Sequence, residues 1–205
     1  MISVHSKIFA MLTLVVCISC QENSKLPVIG YQEIIDGKTS FAKIPEFIYQ
    51  NQNGDSISTS FLKGKMHIAN FFFTSCPTIC PKTMRSMKDL AETFGPDTSL
   101  QFICFSIDYR KDSVPRLKEY FSKLQIQQPN FHLLMMPNKD ELKRVPQKYL
   151  SIASEDSSAA GGFDHSGWLL LVDPDLHIRS YCLGTDSKDV ERFKKDIQNL
   201  KNELH

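Results

Sequence analysis

The chain has 205 residues, 41% of them hydrophobic, enough for one packed domain with appendages. Its 24 Lys and Arg nearly cancel 23 Asp and Glu, and a net charge of +1 gives no electrostatic basis for binding nucleic acid.

Residues 1–20 begin polar and weakly basic at His5 and Lys7 and continue in an apolar run at 8–18. That run is short for a membrane span and suits the core of an export signal. It ends in Cys17-Ile18-Ser19-Cys20-Gln21, which resembles a bacterial lipoprotein signal, with a small residue ahead of the cysteine that is lipidated after cleavage. Cys20, preceded by Ser19, is the candidate; Cys17 follows the bulkier Val16. An uncleaved anchor or a simple secretory signal are the alternatives, and all three put the domain outside the cytoplasm. Cys76, Cys80, Cys104 and Cys182 then remain in a compartment where disulfides persist.

Residues 21–44 are polar and turn-rich, which predicts a tether with a surface hairpin at Asp36-Gly37; the domain proper is predicted over 45–205. A strand at 47–49, a tight turn at Asn53-Gly54 and a helical turn at 60–65 precede the near-continuous apolar run 66–73, a central strand covered on both faces. Pro77 and Pro81 lead into a helix on which Met84, Met87, Leu90, Ala91 and Phe94 recur until Gly95-Pro96. Further strands are predicted at 100–107 and 131–135, with helices at 115–124 and 139–149; Pro146 should kink or end the latter. A small-residue, flexible stretch at 154–162 follows, then an antiparallel hairpin of 168–172 and 177–183. The terminal helix, 187–200, carries Val190, Phe193, Ile197 and Leu200 on one face. This order predicts a thioredoxin-like α/β sandwich, a central mixed sheet flanked by helices.

The chemistry concentrates where the apolar strand runs into Cys76-Pro77-Thr78-Ile79-Cys80-Pro81 at a helix start. Exposed N–H groups there favour thiolate, and residues four apart share a helix face, so the two sulfurs can converge on one ion or close a disulfide. Spacing alone does not decide between these. Two thiolates are a soft donor set suited to Cu(I), and imidazole suits copper or zinc, so a third ligand is sought. His165, in Gly162-Phe163-Asp164-His165-Ser166-Gly167, stands where a thioredoxin-like chain can turn it toward the cysteine loop. Asp164 is a candidate to orient it, and Asp108 lies at a strand end where α/β sheets carry functional loops or helix caps. Met84, Met87, Met135 and Met136 are read as core, Cys104 and Cys182 as buried thiols, and His67, His132 and His177 as structural.

The segments 71–81, Phe105-Ser106-Ile107-Asp108, Asp164-His165-Ser166 and Leu171-Val172-Asp173-Pro174 together resemble the Sco/SenC proteins, over residues 45–200. The resemblance implies a membrane-anchored, thioredoxin-like copper protein that helps assemble the copper centre of cytochrome c oxidase. It implies copper ligation by Cys76, Cys80 and His165, with the same cysteines cycling between dithiol and disulfide. Its implied partners are the copper subunit of the oxidase or another copper acceptor, and the membrane. Thr78 stands where the family often has an acidic residue, so Cu(I) is favoured over Cu(II). The alternative is a thiol-disulfide oxidoreductase without stable metal, for which His165 is dispensable. A peroxidase lacks a marked attacking thiol with an arginine beside it, and a structural zinc site lacks a fourth ligand.

Overall fold

The computed structural model describes residues 25–204; the expected signal segment and Cys20 lie outside them. Two small hairpins come first, β1 (Gln32–Ile35) with β2 (Lys38–Phe41) and β3 (Ile48–Gln50) with β4 (Ser56–Ser58). The predicted turns at Asp36-Gly37 and Asn53-Gly54 close them. The short helix α1 (Thr59–Leu62) is capped by Ser58, whose hydroxyl accepts the Phe61 N–H at 3.3 Å.

There follow β5 (Met66–Phe72), α2 (Cys80–Phe94), β6 (Leu100–Ser106), α3 (Val114–Leu124), β7 (Phe131–Met135) and α4 (Lys139–Lys148). The chain ends with β8 (Ala153–Glu155), β9 (Phe163–His165), β10 (Trp168–Val172), β11 (Ile178–Leu183) and α5 (Ser187–Glu203). The central sheet has the order β11-β10-β5-β6-β7, with β5, β6 and β7 parallel and β10 antiparallel to both its neighbours. Every residue of β5 and β6 is buried, which is why both read as unbroken apolar runs instead of alternating ones.

One face of the sheet meets α3 and α5: Phe72 stacks on Tyr120 at 5.5 Å between ring centroids, and Ser180 donates to Asp196. The opposite face carries an aromatic cluster. Phe105 lies 5.2 Å from Phe71, 5.1 Å from Phe47 and 5.4 Å from Tyr149, which follows α4. Each such ring, removed from water, contributes about 1.5–3 kcal/mol by transfer alone. His67 belongs to this layer: burial drops its pKa to about 3, and its Nε2 meets the Tyr149 hydroxyl at 3.1 Å, so it is a neutral core residue.

Two details depart from the sequence reading. α4 runs two residues past Pro146 before stopping, since a proline in the last turn forfeits only one helical bond. The stretch expected to be flexible is instead bounded by a paired hairpin, with Ala153 opposite His165 and Glu155 opposite Phe163. At the N-terminal side, Ile29 N–H donates to the Ile178 carbonyl at 2.8 Å and Arg179 donates to the Leu26 carbonyl, so the chain lies along β11 from Leu26 onward.

Candidate metal centre

β5 delivers the chain to a loop at 73–79 under the start of α2. The Cys76 N–H returns to the Phe73 carbonyl at 3.2 Å, which tightens the loop, and α2 begins at Cys80 with Pro81 in its first turn. No side chain caps this helix; Lys82 and Thr83 N–H donate to the Ile79 carbonyl and Pro81 has no N–H, which leaves the Cys80 N–H to the loop. The β8–β9 hairpin brings in His165 from the other side; inward Phe163 and His165 alternate with exposed Asp164. Phe73 is wedged between them, its ring 5.3 Å from that of Phe163 and 5.6 Å from that of His165.

The ligating atoms of Cys76, Cys80 and His165 lie within 4.8 Å of one another, and among the described residues this is the one cluster of its kind. His165 Nε2 is 3.7 Å from Cys76 Sγ and 3.3 Å from Cys80 Sγ. Metal–sulfur and metal–nitrogen bonds of about 2.3 and 2.0 Å, opened to about 110°, put S and N about 3.5 Å apart. The two observed distances bracket that separation, so the donors fit one cation with sub-ångström adjustment, and two sulfurs with one imidazole select a soft one. His165 Nδ1 is buried without a partner among the described residues.

The two thiols are not equivalent. Burial raises Cys76, but hydrogen bonds from the His165 ring and the backbone N–H groups of Thr78 and Cys80 more than reverse it, leaving a pKa of about 6. Cys80, only 1% exposed, is driven far above the ordinary thiol range, chiefly by burial. The helix start thus favours thiolate at Cys76, through the N–H groups of Thr78 and Cys80, and not at Cys80 itself.

The remaining candidates sort clearly. Asp164 points to solvent and leaves His165 Nδ1 unpartnered, because adjacent residues on a strand face opposite ways. Asp108 is buried in the turn after β6, accepting the Lys111 N–H at 3.2 Å, and stands outside the cluster. Met84, Met87 and Met136 are core residues. Cys104 and Cys182 are buried free thiols, each raised by burial.

Sequence reasoning missed Asp112. Only 4% exposed, it accepts the Thr74 N–H at 3.1 Å, the Thr74 hydroxyl and the Ser106 hydroxyl, and pairs with Arg116 at 3.3 Å. It therefore fastens the start of the cysteine loop to β6 and α3. Replacing it by Ala strands three donors and a guanidinium, and Asp112→Ala is expected to destabilise the fold by about 2–4 kcal/mol. Urea unfolding followed by circular dichroism reads this, with Asp112→Asn recovering part of the loss.

A mixed five-stranded α/β sandwich of thioredoxin-like form, with two thiols and an imidazole converging beside its central strand, defines a class: dithiol domains equipped to hold a soft cation. The SCO1/SenC family profile matches residues 36–202, and the chain belongs to that family. A putative copper-binding protein of Stutzerimonas stutzeri is 32% identical over 143 residues, 67% of this chain and 68% of that one. The crystal structure of a SCO1/SenC family lipoprotein from Bacillus anthracis superposes with a TM-score of 0.70 at 27% identity, covering 78% of this chain and 95% of that one. Yeast Sco1 with copper bound superposes with a TM-score of 0.61 at 26% identity, covering 77% and 89%.

Proposed function

We propose that this protein binds one Cu(I) ion through Cys76, Cys80 and His165 outside the cytoplasm and passes it to a copper acceptor during assembly of cytochrome c oxidase. The observation that carries this reading is the convergence of the three donor atoms within 4.8 Å. Copper is cargo here. Cys76 sits at the rim and Cys80 beneath it, so an acceptor's thiol meets the site from the Cys76 side while Cys80 and His165 hold from below. Low coordination number and soft donors allow exchange by ligand substitution, one sulfur for another. Membrane attachment through lipidated Cys20 belongs to the same reading, supported by the apolar run at 8–18 and by the description of the Bacillus anthracis relative as a lipoprotein.

The test is metal content after anaerobic loading with Cu(I) and dialysis against a competing chelator. The native chain should retain one copper per molecule, and Cys76→Ala, Cys80→Ala and His165→Ala should each fall well below one. Unchanged copper in His165→Ala would remove the imidazole from the site. The inequivalence of the thiols also favours a second reading, in which Cys76 attacks a partner's disulfide and Cys80 resolves the mixed species. That reading requires turnover with His165 replaced and no copper retained, and the same samples decide it.

A further inference from the structure

On the sheet face opposite α5, no helix among the described residues lies over the β10–β11 edge. Trp168, Leu170, Ile178 and Tyr181, with Ile29 and Leu150, line a hollow of ≈ 250 Å³ there. Trp168 and Tyr181 meet edge to face at 5.2 Å, and Tyr181 is 46% exposed. The apolar surface continues past the hollow: Ile152, in the connection from α4 to β8 and beside Ser166, is 61% exposed, and so is Tyr31, next to the docked segment at Ile29. The Lys148–Glu33 pair at 3.1 Å holds the β1–β2 hairpin, with exposed Ile34, against the end of α4 on this same side.

The arginines around this patch are paired in place, with carboxylates in excess. Arg179 pairs with Asp173 and Glu203, and Arg192 with Asp189 and Asp196. What remains is an aromatic-rich surface, the composition that side chains show at the boundary between headgroups and acyl chains, rimmed by pairs that carry no excess positive charge. The path of the chain says what lies opposite it. Leu26 and Pro27 border the adjoining hollow at Arg179 and Tyr181, and six residue steps from Cys20 to Leu26 span at most about 20 Å when fully extended. A lipid on Cys20 therefore holds this face within a fraction of the domain's own width of the bilayer.

We infer that the Trp168–Tyr181 face, with Tyr31, Ile34 and Ile152 around it, rests on the lipid surface and sets the orientation of the domain on the membrane. This inference rests on the lipid-anchor part of the functional reading and is independent of copper. Because these rim pairs carry no excess positive charge, contact does not depend on anionic lipid.

Trp168 is the sole tryptophan of the chain, so its emission reports the face without labelling. The full chain, purified with its native N-terminus and reconstituted in phosphatidylcholine vesicles, should sediment with them. Its emission should be blue-shifted relative to detergent-free, unlipidated Cys20→Ala protein and should fall when the acyl chains are brominated near the headgroup. Tyr181→Asp should abolish the bromine quenching while retaining native circular dichroism and sedimentation. Protein that sediments but shows equal emission in brominated and plain lipid would overturn the proposal and leave the anchor standing. Shielding of Trp168 that tracks protein concentration instead of bromine would assign the face to a second copy and overturn it too. Protein that fails to sediment would remove the anchor and the inference with it.

Discussion

In the reduced, metal-free protein, iodoacetamide at neutral pH is expected to modify Cys76 at least about 100-fold faster than Cys80, with a rate for Cys76 that is half-maximal near pH 6. At pH 7 a thiol of pKa about 6 is about 90% thiolate, against about 1–3% for an unperturbed one. A more acidic thiolate is intrinsically less nucleophilic, and over three units this removes about twentyfold, so Cys76 gains only a few-fold over an ordinary cysteine. The gap opens on the other side. Cys80 is nearly inaccessible and held protonated by burial, so its reactive fraction at neutral pH is negligible.

The pH profile is the sharper signature. Cys76 should reach its plateau by about pH 7, where a free cysteine is still on its rising limb. His165→Ala removes one of the hydrogen bonds that favour the thiolate, so its midpoint should move upward. Mass spectrometry of tryptic peptides after timed quenching measures both. Equal labelling of the two cysteines, or a midpoint unmoved by loss of the imidazole, would refute the asymmetry derived from the loop.

The difference between the two thiols is not written in the sequence, although their pairing is. The strand at 66–72, the helix that follows and the spacing of two cysteines are local patterns, governed by apolar continuity and a 3.6-residue period, and the chain displays them openly. The electrostatics of the loop is not local. It depends on where individual N–H groups point once the chain has turned at Phe73, and on a ring contributed from 89 residues away. The imidazole itself is legible as a candidate by its setting between glycines and a strand, and the family resemblance narrows it further. Its neighbour Asp164 is set aside by strand alternation alone once the segment is known to be β-structure.

That β-structure is hard to see because β8 and β9 carry almost no apolar alternation; Phe163 is the one large hydrophobic residue in the two strands. Their pairing is supported by position over Phe73 and not by propensity. Asp112 escapes for a related reason. In the sequence it is one more acid in a polar turn, and only the buried hydroxyls of Thr74 and Ser106, which need an acceptor, reveal its task.

The same hairpin yields the second large effect, through a glycine that composition marks only as part of a small-residue tract. Gly161→Ala is expected to destabilise the protein by about 2–4 kcal/mol, a fall in Tm of about 5–12 °C for a domain of this size. Gly161 has φ 86°, in the left-handed region, where a side chain costs about 1–2 kcal/mol. A Cβ there would also stand 2.6 Å from Phe73 Cε2 and 2.8 Å from Cζ. That ring cannot yield cheaply, since it is 1% exposed and wedged against Phe163 and His165.

Relief must come from the hairpin lifting or from Phe73 pushing on His165, and either separates Nε2 from the two sulfurs. Copper retention against chelator should therefore fall together with stability. Gly162 supplies the control, because its φ of 87° is nearly the same while a Cβ at that position would meet nothing within 4 Å. Gly162→Ala should cost about 1 kcal/mol from backbone strain alone and keep its copper. If the two variants prove equally stable and bind copper alike, contact between the hairpin and Phe73 does not position the histidine, and the imidazole is held by some other part of the fold.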